Sequence, residues 1–98
     1  MPIDSRALVR RNSRVVYRPL GGEEGAVVLH LDTAAYFGLN EVGSLIWSLV
    51  GDDGASVAQL RDGVRAEVDS PPPSLDDDVD RFVGDLVERD LLQLSEPE

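Results

Sequence analysis

The chain of 98 residues has no cysteine, no lysine and a single histidine. Without cysteine there is no disulfide framework, no thiolate metal site and no cysteine nucleophile. That absence suits a reducing cytoplasm. Neither a cysteine nor a second histidine is there to complete a zinc site or a catalytic triad around His30. Long apolar runs are missing as well. No segment nears the roughly 20 apolar residues that cross a membrane. The start, Met1-Pro2-Ile3-Asp4-Ser5-Arg6, lacks the apolar stretch of a signal peptide. The sequence implies neither a cofactor nor a metal, and function has to be sought in surfaces.

What is present is the material of one globular domain. Apolar residues make up 42% of the chain and charged residues 29%, which is ordinary for a folded, soluble unit. A chain of this length buries enough surface to fold without staples, with little margin. The net charge of -10 is unevenly spread. Residues 1–18 hold five arginines against Asp4, a balance of +4, and the other eighty residues carry -14. An acidic body repels nucleic acid and anionic lipid, and attracts basic partners.

Along the chain, residues 1–13 are polar and basic without a sustained period, which predicts a flexible basic arm. Residues 14–20 are rich in β-formers, with Pro19 marking an edge or an end. Gly21-Gly22-Glu23-Glu24-Gly25 reads as a loop. Residues 26–32 form the strongest strand pattern, with Val27, Leu29 and Leu31 on one face and His30 on the other, solvent-facing or partly packed. Asp32-Thr33-Ala34 predicts a tight turn, since Asp bonds to its own backbone. Residues 35–39 read as a third strand, with Phe37 and Leu39 pointing one way and Tyr36 the other.

Three helices follow. Asn40 caps the first, whose apolar face is Val42, Leu45, Ile46, Leu49 and Val50, with Gly51 at its end. Trp47 lies off that face and is expected to be partly buried against a neighbouring helix. Ser56-Val57-Ala58-Gln59 is a capping box for the second helix, with Val57, Leu60, Val64 and Val68 as its stripe. The prolines at 71–73 stop it. Ser74 caps the third, where Asp76, Asp77 and Asp78 favour the positive end of the helix dipole. Leu75, Val79, Phe82 and Leu86 make its core stripe. Val83 and Val87 widen the apolar surface to one side, beside Asp76 and Asp80. Leu91 to Leu94 add a short strand or packing segment, and residues 95–98 are a frayed tail. The order predicts an α+β domain over residues 14–94, winged helix-turn-helix-like, with a three-stranded antiparallel sheet followed by three helices.

Several tempting motifs fail on chemistry. The Asp76–Asp80 run lacks the central glycine and final glutamate of a calcium loop. The glycines at 21–25 lack the Lys-Ser/Thr of a phosphate loop, and Glu23 and Glu24 would repel phosphate. A winged helix reads DNA through a helix in the major groove. Residues 75–90 here offer seven acids against Arg81 and Arg89, so each phosphate would oppose binding.

The run from Leu31 to Trp47, with Tyr36-Phe37-Gly38-Leu39-Asn40 leading into a helix that carries Gly43 and Ile46-Trp47, resembles the PqqD-like family, also called RiPP recognition elements. The Ser56-Val57-Ala58-Gln59-Leu60 helix start matches too, and the similarity spans residues 14–94. The family often has a glycine in the turn before the aromatic pair and another before the final Leu-Leu. Here those places hold Ala34-Ala35 and Asp90. The resemblance implies a non-catalytic adaptor that binds the leader of a ribosomally made precursor peptide. A small free-standing member looks most like the leader-binding partner in lasso-peptide biosynthesis, working with a separate cysteine-type leader peptidase and an ATP-dependent cyclase. An adaptor for a radical enzyme of quinone-cofactor assembly is the alternative within the family, and a winged-helix transcriptional regulator the alternative outside it.

The residues agree with peptide binding. The third strand should leave an edge free for an added strand, placing Ala34, Ala35, Tyr36, Phe37, Gly38 and Leu39 in the site. The third helix would wall the groove through Val79, Val83 and Val87, with Asp76 and Asp80 attracting basic leader residues; the other reading places Val83 and Val87 in the domain core.

Overall fold

A computed structural model describes residues 4–20, 25–70 and 72–95. Its elements are β1 (Leu8–Arg11), β2 (Val15–Pro19), β3 (Ala26–His30), β4 (Tyr36–Leu39), α1 (Glu41–Val50), β5 (Ala55–Ser56), α2 (Val57–Glu67), α3 (Leu75–Glu88) and β6 (Leu92–Ser95). They form an α+β fold with two three-stranded antiparallel sheets and three helices.

The expected sheet is the meander β2-β3-β4, in the register Val28 opposite Tyr17 on one side and Phe37 on the other. Its facing corrects the sequence reading. Ala26, Val28 and His30 turn into the core, while Leu29 and Leu31 face out. Apolar residues occupy both faces of this strand, so alternation alone could not choose the inner one. The neighbours choose it: Tyr17, opposite Val28, stacks on Trp47 of α1 with ring centroids 6.3 Å apart. Trp47 is therefore fully buried, and its aromatic partner comes from a strand.

The second sheet, in the order β5-β1-β6, replaces part of the expected loose arm. Leu8–Arg11 is its central strand, pairing Val9 with Ala55 and Leu94. Ala7 and Val9 are buried, so this stretch belongs to the fold. Four residues ending in two arginines give too short a period to read, and both partners lie far along the chain. Arg11 is spent locally as well: it donates to the Trp47 carbonyl at 2.6 Å and covers the indole ring. Ser95, expected in the frayed tail, pairs with Leu8, and residues 96–98 lie outside the described part.

The helices start as their caps dictate, with one exception. Asn40 accepts from the Gly43 amide at 2.8 Å, and the Ser56–Gln59 capping box closes in both directions. Ser74 makes no side-chain cap bond; its hydroxyl donates to Asp78 instead. α1 and α2 approach closely at Gly63, where a β-carbon would lie 2.7 Å from the Leu49 side chain. The core gathers Ile46, Trp47 and Val50 from α1, Leu60 and Val64 from α2, and Val9, Val28 and Leu92 from the two sheets. α3 contributes Leu75, Val79, Val83 and Leu86, so its buried stripe runs through Val83, with Phe82 only partly buried.

Candidate peptide-binding site

β4 pairs with β3 along one edge and meets no strand along the other among the described residues. Its backbone polarity can be assigned. The His30 amide donates to the Ala35 carbonyl, and His30 and Ala35 continue the β3–β4 register. In an antiparallel ladder alternate residues bond to the same neighbour. Phe37 and Leu39 therefore bond towards β3, while the amides and carbonyls of Tyr36 and Gly38 point to the open side. Gly25 agrees: a β-carbon there would sit 1.9 Å from the Leu39 carbonyl oxygen, which thus faces inward. On the face of the sheet at Gly38 a β-carbon would meet nothing within 4 Å.

The turn before β4 is built from side chains. Thr33 Oγ1 accepts from the Ala35 amide at 3.2 Å, and His30 Nδ1 accepts from the Asp32 amide at 3.1 Å. The turn's side-chain caps thus come from His30 and Thr33, while the Asp32 carboxylate pairs with Arg14 at 2.8 Å. That guanidinium bond holds the Asp32 carboxyl below the usual carboxylate range. Ala34, at φ 62°, occupies the left-handed region.

α3 flanks the strand through a different face from the one expected. Asp76 and Asp80 turn to α2: Asp76 accepts from Arg65 at 2.6 Å, and Asp80 from Arg61 Nε at 3.0 Å. The Asp80 carboxylate raises the Arg61 pKa, chiefly through the hydrogen bond. Val79 and Val83 are buried, and Val87 packs partly buried against the core. The flank nearest α1 and β4 is Asp78, Phe82 and Arg89 instead. A β-carbon on Gly43 would lie 2.9 Å from the Phe82 ring, and the Arg89 guanidinium lies 5.0 Å over the Phe37 ring. Helical spacing put Asp76, Asp80, Val83 and Val87 on one face correctly, but rotation about the helix axis decides which neighbour that face meets. The available clue was Gly43, a small residue where a bulky one on another helix needs room.

Next to the α1 end of β4 lies a cavity of 360 Å³ between Asn40, Val42 and Gly43 on one wall and Asp78, Val79 and Phe82 on the other. It is mainly apolar, with Asn40 and Asp78 supplying polar atoms. The arrangement is thus an unfilled backbone ladder, with an apolar hollow at one end and an arginine over an aromatic ring at the other. It provides main-chain hydrogen bonds and side-chain pockets.

Residues 25–92 match the family described as coenzyme PQQ synthesis protein D, PqqD. A solved structure described as TbiB1 in complex with the TbiA(beta) leader peptide superposes with a TM-score of 0.71 and 33% sequence identity, covering 86% of this chain and 94% of that one. No curated protein matches the chain at a significant level.

Proposed function

Because the chain belongs to the PqqD family, we propose that it is a non-catalytic recognition element that binds the leader of a ribosomally made precursor peptide along the open edge of β4. The single observation that carries the reading is that edge, free at Tyr36 and Gly38, in a chain 33% identical to a protein described in complex with a leader peptide. An extended leader adds as a fourth strand, with main-chain bonds supplying affinity and pockets supplying choice. Ala34 and Ala35 lie at the entry, Tyr36 to Leu39 form the ladder, and Asp78, Phe82 and Arg89 of the α3 segment wall the groove over Val79, with Val83 in the core beneath. Asp76, Asp80 and Val87 act behind the wall, by fixing α3 on its neighbours. The binding unit takes in residues 14–94 together with β1.

The finer assignment we propose is the adaptor of a lasso-peptide pathway in the cytoplasm, presenting the precursor to a separate cysteine-type leader peptidase and then to an ATP-dependent cyclase. Tethering raises the local substrate concentration at the peptidase by orders of magnitude without new chemistry. Presentation needs a second surface, and the outer face of the meander offers one. Val16, Leu20, Leu29, Leu31 and Tyr36 expose 40, 51, 38, 53 and 75% of their area there. A contiguous apolar face of this kind marks an interaction site, and a leader on β4 would extend it by one strand. We assign the peptidase to this face. The second reading, an adaptor for a radical enzyme of quinone-cofactor assembly, is favoured by the family's own description. A winged-helix DNA reader is disfavoured by the net charge of -10.

Amide NMR with the TbiA(beta) leader peptide tests the binding claim. Residues 34–39, Phe82 and Arg89 are expected to shift together, while the protein alone leaves the peptide intact. Shifts confined to α2, or cleavage without a partner, would reject the adaptor reading.

A further inference from the structure

His30 is a charged-capable group in an unusual place. It is buried to 3% exposure, yet it sits between two turns that bracket the open groove. On one side Nδ1 faces two backbone donors, the Asp32 amide at 3.1 Å and the Thr33 amide at 3.4 Å. On the other, Nε2 lies 3.1 Å from Asp90 Oδ2. Facing two N–H donors, Nδ1 is the accepting nitrogen, and Nε2 has the Asp90 carboxylate as its acceptor, with Asn12 Nδ2 3.4 Å from the same nitrogen.

The remaining contacts fix Asp90 in place. Asn12 Nδ2 donates to the Asp90 carbonyl at 2.7 Å, and Asn12 Oδ1 accepts from the Arg14 amide at 2.9 Å. Asp90 stands at φ 62°, and Arg89 beside it covers Phe37 of β4. The end of α3 is thus tied twice to the meander, by Arg89 to the strand and by Asp90 through His30 to the turn.

We propose that His30 is a positioning residue for the leader site, spacing the 31–35 turn, and with it the entry to the open edge of β4, from the C-terminal end of α3. The inference rests on the function proposed above. Loss of the ring would leave the Asp32 and Thr33 amides without this acceptor and the turn without its tie to Asp90. The charged groups facing His30 are Asp90 after α3 and Asp32 in its own turn, the latter paired with Arg14 from the β1–β2 connection.

Two variants separate positioning from folding. In His30→Asn the amide oxygen replaces the Nδ1 acceptor and the tie to Asp90 goes; in His30→Phe the ring volume stays and both nitrogens go. Calorimetric titration with the TbiA(beta) leader at neutral pH is paired with amide hydrogen exchange of each free protein. The native protein is expected to bind the leader and to protect the Asp32 and Thr33 amides from exchange. His30→Phe should bind about fivefold more weakly and exchange these two amides fast while remaining folded. His30→Asn, which keeps the cap and loses the tie, should restore their protection and bind between the two. Native affinity in His30→Phe, or no recovery of amide protection in His30→Asn, would overturn the proposal. Failure of the native protein to bind the leader would reject the leader site itself, and this inference with it, whatever the exchange data show.

Discussion

Of the places where the resemblance leads one to expect glycine, Ala34-Ala35 and Asp90, Ala34 and Asp90 have φ of 62°. The left-handed region costs an L-residue roughly 1 kcal/mol that glycine avoids. Ala34 makes no side-chain bond that offsets this, so Ala34→Gly is expected to stabilise the protein by about 0.5–1 kcal/mol, read from the urea midpoint at unchanged slope. Asp90 differs, because its carboxylate is the acceptor for His30, and glycine there would relieve strain at the expense of that bond. Gly38 is the residue on which the binding mode turns. Its amide points to the open side, so Gly38→Pro removes one ladder donor while leaving the β3–β4 bonds of Phe37 and Leu39 in place. Leader affinity should fall about tenfold by calorimetry, with the circular dichroism spectrum unchanged. The same substitution at Phe37 would strike the β3–β4 ladder, and so test folding rather than recognition.

Among the elements, α3 shows how one helix serves three neighbours. Leu75, Val79, Val83 and Leu86 bury into the core, Asp76 and Asp80 bind α2, and Phe82 and the following Arg89 flank the groove. The Arg61–Asp80 pair is the better shielded of the two ties, with side chains exposed only 19 and 16%. Replacing the carboxylate by an amide takes the charge out of these hydrogen bonds to a largely buried guanidinium. Asp80→Asn is expected to cost about 1–3 kcal/mol of stability in chemical denaturation. Leader affinity at neutral pH should move less than twofold, since the pair faces away from β4. A tenfold affinity loss in a stable Asp80→Asn protein would return Asp80 to the groove. β1 makes the opposite point. It is short and carries arginines, but it is central in its sheet, so residues 7–12 are structural even though they read as an arm.

On the scale of the whole molecule, the meander has one face in the core, one edge unpaired among the described residues, and one exposed apolar face. The outer face is apolar in a protein whose net charge is -10, so it is not there for solubility. Leu31→Glu, on a residue 53% exposed and outside the core, is expected to leave leader affinity within twofold. In a reconstituted reaction with the peptidase it should slow leader removal at least about tenfold, because a charge in a desolvated interface is strongly disfavoured. Unchanged cleavage would move the peptidase to another surface. Among the described residues no helix is long and apolar enough to cross a membrane.

The sequence by itself determined the helices, their caps at Asn40 and Ser56, the meander and the strand that carries the edge. These are local: period, capping chemistry and turn composition are written within a few residues of where they act. Only the tertiary structure decided which face of β3 is inner, which flank of α3 meets β4, that β1 completes a second sheet, and that His30 links two turns sixty residues apart. Those outcomes depend on the rotation and docking of whole elements, set by contacts such as Tyr17 on Trp47 and Gly43 against Phe82. No window of the chain contains both partners of such a contact.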